Sequence, residues 1–377
     1  MNKFLKCGYL TFVLVASLFS AGANANNAVV NTSVNESAED KSTDDKNQSA
    51  VTDTENRGDT EEIVAAPNYT RVVPIKNWSR LSGDSACTLG EWKRWWSYMR
   101  MKKPVIMNWV NGLKLRIYPK NEVFRSIYVA GIYDPNIAVV INSLLPQRGV
   151  FIDVGANMGY LSLLASKVVG ELGKVYAIEP SSRDFLRLVD NVNLNGLGNV
   201  YSYHIAILDS HKKAEINIAG EERSALNTFG KEFSYKGTEK LGAEEVQAVT
   251  IDEFVDTEKI GKVDLIKLDI EGSELSALRG ARDSIEKFRP AIILGVNRDA
   301  LTANGVDIAD LKKMLQELRY NTYILTETPC FAFKEVSNLA AVQNKVVICM
   351  HESIIPPVLP QFTEKNWMEA VSEFFTR

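Results

Sequence analysis

A continuous apolar strand that runs into a glycine-rich turn and then a helix constrains the fold of this chain more than any other feature. Residues 150–169 read VFIDVGANMGYLSLLASKVV. Further apolar strands and amphipathic helices follow it in alternation: KVYAIEP, SRDFLRLVDNVNLNG, NVYSYHIAI, KVDLIKLD, GSELSALRGARDSIEKF, AIILGV, IADLKKMLQELR, NTYIL and KVVICM. Buried strands that alternate with amphipathic helices indicate an α/β fold with a mainly parallel sheet.

The chain just upstream of this strand is expected to add a hairpin and two helices. Residues 105–119 read VIMNWV-NG-LKLRIYP, and the Asn-Gly pair between two apolar runs predicts a β-hairpin. Mostly helical stretches are predicted over 122–132 and 136–145, separated by Pro135. In such sheets ligands bind beyond the carboxyl ends of the strands, so the loops at that edge should carry the chemistry.

The turn after the first buried strand points to a nucleoside ligand. Gly155 and Gly159 allow a sharp turn and a close approach of a ligand to the N-terminus of the next helix. Glu179 follows the second strand, at a distance suited to a carboxylate that binds ribose hydroxyls. A dinucleotide pattern would need glycines at Asn157 and Tyr160, which disfavours a pyrophosphate ligand. S-adenosylmethionine (SAM) is therefore the candidate cofactor, and a purely structural turn is the alternative.

Three segments, taken in order, resemble the FkbM-type SAM-dependent methyltransferases. They are FIDVGANMGYLSLLAS, AIEPSSRDFLRLVDNVNLNG and LIKLDIEGSELSALRGA. The resemblance extends over about residues 105–350. It implies a class I (Rossmann-like) methyltransferase fold, with a seven-stranded, mainly parallel sheet and helices on both faces. It also implies SAM-dependent methylation of hydroxyl groups of glycans or related metabolites.

The resemblance assigns residues to the cofactor. Those expected around the methionine end of SAM are Asp153, Gly155, Ala156, Asn157 and Gly159. Glu179 would bind the ribose, and Asp209 falls where the family often has a polar residue near the adenine. Asp134 falls where members usually carry Glu. The chain departs from the family at Gly295, where a Glu is usual, and this departure puts activity or specificity in question.

The motif KLDIEGSE contains the candidate catalytic groups. Methyl transfer to a hydroxyl requires an aligned acceptor and the removal of its proton. Lys267 and Asp269 lie two residues apart, hence on one face of their strand, and Asp269 should emerge at its carboxyl end. We expect Asp269 to be the base, with Lys267 tuning its charge or binding substrate and Glu271 as a further candidate. The alternative is that Asp269 and Glu271 only complement the helix N-terminus.

The N-terminal segments differ in composition from the domain. Residues 1–25 combine two lysines, an apolar run over 8–19 and Ala-Asn-Ala, which is typical of a cleavable export signal. The prediction is export to a periplasm, a secretory lumen or the extracellular space, and an uncleaved membrane anchor over 8–19 is the alternative. Residues 26–80 are polar enough to predict a disordered, low-complexity linker.

Two further segments flank the methyltransferase-like region of 105–350. Residues 81–104 are predicted to be a basic and aromatic helical segment, and residues 351–377 a C-terminal tail. Within the first, residues 90–104 either pack on the domain behind them or lie on an anionic membrane. Apart from the alternative anchor over residues 8–19, no other part of the chain is expected to contact a membrane.

Composition narrows the function further. A net charge of −4, from 43 basic and 47 acidic residues, excludes a strongly basic nucleic-acid binder. No grouping of His, Cys and acidic residues has metal-site spacing, so no metal is expected. Cys330 and Cys349 could form a bridge or remain free thiols. The leading hypothesis is a SAM-dependent O-methyltransferase of a glycan or small molecule. Its rival is an exported, non-catalytic protein of the same fold that binds carbohydrate or a partner surface.

Overall fold

The computed structural model describes residues 63–64, 89–326, 332–342 and 345–359. The strands are β1 (Ile63–Val64), β2 (Val105–Asn108), β3 (Lys114–Ile117), β4 (Val150–Val154), β5 (Lys174–Ile178), β6 (Val200–Tyr203), β7 (Ala206–Ile207), β8 (Lys212–Ala219), β9 (Lys240–Val249), β10 (Leu265–Leu268), β11 (Ala291–Val296), β12 (Tyr320–Thr326), β13 (Ala332–Glu335) and β14 (Lys345–His351). The helices are α1 (Leu89–Arg100), α2 (Glu122–Ala130), α3 (Pro135–Leu144), α4 (Tyr160–Val169), α5 (Ser182–Leu194), α6 (Ile251–Thr257), α7 (Glu274–Arg279), α8 (Arg282–Phe288), α9 (Arg298–Ala303) and α10 (Ile308–Glu317).

Several predictions fall outside the described residues. They are the export signal of 1–25, the linker of 26–80 apart from β1, and residues 360–377 of the predicted tail. The possible bridge between Cys330 and Cys349 involves Cys330, which also lies outside them, whereas Cys349 is buried as a free thiol.

The central sheet has the strand order β13-β12-β14-β11-β10-β4-β5-β6. Parallel pairing joins β6, β5, β4, β10 and β11, while β14 runs antiparallel between β11 and β12. Seven of these strands have the order of a class I methyltransferase, which confirms the predicted fold. Strand β13 pairs antiparallel with β12 at the edge, so the described sheet has eight strands and the predicted count of seven was one short.

The strands at the centre of the sheet are buried on both faces. All five residues of β4 are buried, and its four apolar side chains are divided between two hydrophobic clusters. Phe151 belongs to one cluster together with Leu163 of α4, whereas Ile152 belongs to the other together with Leu278 of α7. Successive side chains of a strand point to opposite faces, so the helices cover both sides of the sheet as predicted.

A second sheet, of order β7-β9-β8, was not anticipated from the sequence. The segment NVYSYHIAI was predicted as a single strand, but it divides into β6 of the central sheet and β7 of this smaller one. Strands β8 and β9 pair antiparallel, and the chain between them contains a 3-10 helix over Glu221–Leu226. This connection, residues 220–239, lies beside the functional cleft described below and is called the covering segment.

The N-terminal part of the described chain packs on the domain. The predicted hairpin is present as β2 and β3, although a 3-10 turn over Val110–Gly112 replaces the two-residue turn. Strand β1 lies within the stretch predicted to be disordered and pairs parallel with β2. Tyr98 of α1 is buried, and its hydroxyl lies 2.6 Å from the carbonyl oxygen of Asn121 and accepts a hydrogen bond from the Asn121 amide.

The outer face of α1 leaves Trp96 and Met99 about half exposed, at 50% and 51%. Contact of residues 90–104 with a membrane therefore stays a prediction, and it concerns this face. Within the described residues no single helix is long and apolar enough to cross a membrane, although α2 and α3, bent by 78°, together pass the same test of length and composition.

Candidate cofactor and catalytic site

A cleft lies where β4, β5 and β10 end, with a volume of about 820 Å³ including its open mouth. The loops that follow these three strands meet there because parallel neighbours end at the same edge of a sheet. Eight of the predicted site residues line the cleft: Asp134, Gly155, Ala156, Asn157, Glu179, Lys267, Asp269 and Glu271. Asp153, Gly159 and Asp209 do not.

The glycine turn after β4 is shaped by close contact with the loop after β10. Gly155 has a φ of +75°, and a Cβ at this position would overlap the carbonyl oxygen of Asp269. The amides of Gly155 and Ala156 both donate to the carbonyl oxygen of Ile178 at the end of β5, each at 3.0 Å. Only glycine satisfies both the backbone angle and the contact. The turn is therefore fixed against both neighbouring strands.

Asp153 supports this turn from behind and does not reach the cleft. Its side chain is fully buried, and the register of β4 and β10 places it opposite Lys267. Lys267 Nζ lies 3.2 Å from Asp153 Oδ1 and donates to the carbonyl oxygen of Gly155 at 3.0 Å. Ser162 Oγ donates to the other oxygen of Asp153 at 2.6 Å. The predicted contact of Asp153 with the cofactor is therefore replaced by an indirect role through Lys267.

Lys267 is held as a cation in this position. Burial lowers the pKa of the Lys267 ammonium, but the charges of Asp153 and Asp269 outweigh burial and raise it overall. A buried ion pair of this kind orients the groups around it and is costly to break on one side. Its contacts with the turn indicate that Lys267 positions the backbone. The charge of Lys267 also interacts with that of Asp269, so the predicted tuning of Asp269 by Lys267, or its binding of substrate, stays a prediction.

Hydrogen bonds hold Glu179 between the loops that follow β4 and β5. Its Oε2 accepts from the Asn157 amide at 2.8 Å, and its Oε1 accepts from the Ser181 amide at 2.9 Å. Burial, followed by the nearby charge of Asp184, raises the pKa of Glu179 to about 8. A cationic or hydroxyl-bearing ligand would favour its ionised form, because opposite charges and donated hydrogen bonds stabilise a carboxylate.

The loop after β10 presents Asp269 and Glu271 to the cleft. Glu271 has a φ of +47°, and its carboxylate accepts from Ser234 Oγ at 2.8 Å. Burial, then the charge of Asp269, raises the pKa of Glu271 to about 8. Glu274 Oε1 accepts from the amides of Ile270 and Gly272, at 3.0 and 3.3 Å, and so holds the loop together.

Gly295 lies directly beside Asp269. A Cβ at residue 295 would overlap Asp269 Oδ1, so the missing side chain leaves the space that the Asp269 carboxylate occupies. The departure from the family pattern at Gly295 therefore changes the wall next to the predicted base. It does not remove a group from the glycine turn.

Asp134 and two tyrosines complete the side of the cleft formed by α3 and α4. Asp134 has a φ of +45° and precedes α3 without capping it, which leaves its carboxylate for the cleft. Burial, then the charge of Asp269, raises the pKa of Asp134 to about 7. Tyr133 and Tyr160 line the same wall with their rings edge to face at 6.0 Å. No local pattern in the sequence indicates that these two rings meet.

Two predicted residues lie elsewhere for clear reasons. A Cβ at Gly159 would overlap Leu188 of α5, so this glycine serves helix packing. Asp209 follows β7, which belongs to the smaller sheet, and its carboxylate pairs on the surface with Lys212 at 3.1 Å. Asp209 does not line the cleft, because the chain leaves the central sheet before reaching it, and its contact with the adenine stays a prediction. Ile205 and Ile207 line the cleft in its place.

The covering segment and the strand before it supply cleft residues that the sequence analysis missed, namely Ile216, Ser224, Ala225, Asn227 and Phe229. Ser224 Oγ accepts from Asn121 Nδ2 at 2.9 Å, and Asn227 Nδ2 donates to Asp184 at 2.9 Å. These partners are distant in sequence, and no local motif marks them.

The cleft is strongly acidic. Asp134, Glu179, Asp269 and Glu271 face it, and its one lysine, Lys267, is already paired. Asn157 Oδ1 is also buried there with no partner among the described residues, so it is available to a ligand donor. Such a site fits a cationic ligand that carries N–H and O–H groups, as SAM does. No group of three or more His, Cys, Asp or Glu side chains in the described ranges could hold a metal ion.

Residues 153–325 match the methyltransferase FkbM domain. Residues 153–325, somewhat less than half of the chain, are therefore identified as a methyltransferase FkbM domain. The match confirms the predicted cofactor, SAM, and the predicted enzyme class, a SAM-dependent methyltransferase. A hexuronic acid methyltransferase, AglP of Haloferax volcanii, is 26% identical over 191 residues, which are 49% of this chain and 70% of AglP.

Two solved structures are similar at low identity. A methyltransferase FkbM from Methylobacillus flagellatus KT is 16% identical, with a TM-score of 0.35, over 61% of this chain and 54% of that protein. A SAM-dependent O-methyltransferase from Thermotoga maritima is 13% identical, with a TM-score of 0.34, over 58% of this chain and 66% of that protein. This chain thus spans about half of the first protein and about two thirds of the second.

Proposed function

We propose that this protein transfers the methyl group of SAM to a hydroxyl group of a sugar or glycan. The observation that carries the proposal is the acidic cleft formed by the glycine turn and the Asp269 loop, which touch at Gly155. The similarity to a hexuronic acid methyltransferase supports a sugar as the acceptor.

The cofactor would lie along the carboxyl edge of β4 and β5. Asn157 Oδ1, buried and unpartnered, would accept from the amino-acid end of SAM, together with the backbone at Gly155 and Ala156. Glu179, which already bridges two backbone amides, would accept from the ribose hydroxyls. The isoleucines of β5 and β7 on this wall, Ile178 and Ile207, suit an adenine ring.

SAM supplies an electrophilic methyl group on a sulfonium, and the chain's own residues act on the acceptor. Asp269 takes the proton of the acceptor hydroxyl as the oxygen–carbon bond forms and the carbon–sulfur bond breaks. Lys267 acts at a distance, by fixing the turn through the Gly155 carbonyl oxygen. Glu271 is protonated in part near neutral pH because its pKa is raised to about 8. It can therefore donate a hydrogen bond to the acceptor without adding a full negative charge.

Two measurements test the proposal. The first is calorimetric titration of the full chain with SAM. The second is an assay for transfer of labelled methyl from SAM to p-nitrophenyl glycosides. Asp269→Asn should keep the Kd for SAM within about threefold and lower kcat by about 10²- to 10⁴-fold, the usual range for loss of a general base. Asp209→Asn is the matched control, because Asp209 lies on the surface outside the cleft.

Two results would contradict the proposal. Absence of heat at millimolar SAM would leave the rival function, a non-catalytic protein that binds carbohydrate or a partner. Full turnover by Asp269→Asn would show that another group takes the proton.

We also propose that the chain is exported, on the basis of the signal pattern in residues 1–25. Exported protein that begins at Asn26 would support cleavage. Protein that retains Met1 and fractionates with membranes would support an anchor over residues 8–19.

A further inference from the structure

Arg223, in the covering segment, lacks an ion pair among the described residues, unlike the arginines around it. Arg125 pairs with Glu222 at 3.5 Å, and Arg187 pairs with Glu221 at 2.9 Å. Arg223 instead donates from Nη1 to Thr238 Oγ1 at 3.3 Å, which leaves most of its five N–H donors for another group. The Arg223 charge acts on the partly buried Glu122 carboxyl, but no carboxylate of the described residues forms an ion pair with this half-buried guanidinium.

The guanidinium of Arg223 lies over the ring of Tyr235, 3.9 Å from its centroid. This contact fixes the orientation of both side chains. Although one face of the ring is covered, Tyr235 remains 58% exposed. An exposed aromatic ring that is held in place can stack against the apolar face of a sugar.

Both residues adjoin the cleft through their chain neighbours. Ser224, next to Arg223, lines the cleft. Ser234, next to Tyr235, donates to Glu271 at 2.8 Å, and Glu271 also lines it. The amide of Gly220 donates to the carbonyl oxygen of Glu239 at 2.8 Å, which joins the two ends of the segment. The Arg223–Tyr235 pair is thus adjacent in sequence to residues that contact or line the cleft, although neither of the two is itself among its lining residues.

Because carboxyl groups line the cleft, a cation near it changes which acceptors can bind. Four carboxyl groups face the interior, and those that are ionised repel an anionic acceptor. An unpaired guanidinium near the cleft offsets this repulsion and binds a planar or tetrahedral anion through two parallel hydrogen bonds. A neutral acceptor would not need the charge of Arg223.

We propose that Arg223 and Tyr235 form the acceptor subsite, and that the acceptor is an anionic sugar whose acidic group binds Arg223 while its ring stacks on Tyr235. This inference rests on the proposed function and specifies its substrate class. The acidic group can be the carboxylate of a uronic acid or the ester of a sugar phosphate. Both present oxygens that suit the guanidinium.

The test compares three acceptors: p-nitrophenyl glucuronide, p-nitrophenyl glucoside and p-nitrophenyl glucoside 6-phosphate. The wild-type chain should prefer one of the two acidic glycosides to the neutral one. Arg223→Gln should lower kcat/KM for that acidic glycoside about 10- to 100-fold, mainly through KM, because a charge-assisted pair is lost. It should change the value for the glucoside by less than about threefold.

Two further variants separate recognition from folding. Tyr235→Ala should weaken the binding of acidic and neutral glycosides alike, because stacking on the ring does not depend on the charge of the sugar. Arg282→Gln, which removes a surface ion pair with Glu317 far along the chain from the covering segment, is the matched control and should change neither. All variants should keep the Kd for SAM, because no residue changed here contacts the glycine turn.

Binding of the same glycosides to protein saturated with S-adenosylhomocysteine, measured by calorimetry, distinguishes this inference from the proposed function. Binding that depends on Arg223 without methyl transfer would uphold the subsite and overturn the enzymatic function. Methyl transfer with equal losses for acidic and neutral glycosides in Arg223→Gln would overturn the subsite and leave the function. Failure of both acidic glycosides to bind would also overturn the subsite.

Discussion

The two sides of the cleft are built in different ways. On the cofactor side, neighbouring strands fix the geometry: Asp153 faces Lys267 across β4 and β10, and Gly155 touches the backbone of Asp269. On the acceptor side, the covering segment is held by a few polar side chains from distant parts of the chain. Among them are Asn121, which binds Ser224, and Asp184, which binds Asn227.

The difference follows from what each side must recognise. A cofactor of fixed chemistry is served by backbone positioned within tenths of an ångström, which adjacent strands of a sheet provide. Acceptor recognition lies on a connection between β8 and β9, where sequence can vary without disturbing the sheet. Substitutions on the cofactor side should therefore affect SAM, and those on the acceptor side should affect the sugar.

The largest expected effect is at Gly155. Gly155→Ala forces a Cβ onto the Asp269 carbonyl oxygen at a φ of +75°, so the two loops must separate. We expect the affinity for SAM, measured by calorimetry, to fall at least about 100-fold, since both loops frame the ligand. Gly196→Ala is the matched control: its φ is also positive, at +58°, but nothing lies within 4 Å of the added Cβ. Normal SAM affinity in Gly155→Ala would contradict the rigid cofactor side.

A smaller effect is expected from pH. Burial raises the pKa values of Asp134, Glu179 and Glu271 to about 7, 8 and 8, above their unfolded values. The folded, ligand-free state therefore binds more protons than the unfolded state between about pH 4.5 and 8, and its stability should fall as pH rises through that window. A bound cation favours the ionised carboxylates, so the affinity for SAM should rise about tenfold from pH 6 to 8.5.

Calorimetry in buffers of different ionisation enthalpy measures the protons released on SAM binding. Glu179→Gln should reduce their number. Affinity that is independent of pH, with no proton release, would show that these carboxyl groups are ionised before the ligand arrives.

The smallest effect is expected at Asn121. Its Oδ1 caps α2 by accepting from the amides of Val123 and Phe124, and its Nδ2 donates to the covering segment at Glu221 and Ser224. Asn121→Ala should lower the free energy of unfolding by about 1–2 kcal/mol through loss of the cap. It should also raise the KM for the acceptor severalfold. Asn121→Ser keeps a capping oxygen but cannot reach the segment, so it should retain stability and still raise that KM. A change in the Kd for SAM instead would mean that the two sides of the cleft are coupled.

Local patterns in the sequence predicted the cofactor side well. Gly155, Asn157 and Glu179 line the cleft, as predicted from the apolar strand, the glycine turn and the acid after the next strand. This works because adjacent parallel strands end at one edge, so the position of a residue relative to its own strand already fixes its surroundings. The same reasoning placed Asp269 and Glu271.

The predictions that differ from the structure are those that depend on which way a side chain points or where the chain turns. Asp153 lies behind the turn because the strand register sets it against Lys267. Asp209 lies on the surface because β6 and β7 belong to different sheets, although the sequence reads as one strand there. Neither the register of neighbouring strands nor the break in a continuous apolar run is written in local periodicity.

The sequence by itself determined the family, the cofactor and the framework of the sheet, because those depend on motifs a few residues long. Only the tertiary structure decided that residues of the covering segment line the cleft, that Gly295 makes room for Asp269, and that Arg223 lies over Tyr235 with no ion pair among the described residues. These contacts join residues far apart in the chain or on different elements, and such pairs are set by packing of the whole domain. No local pattern could have specified them.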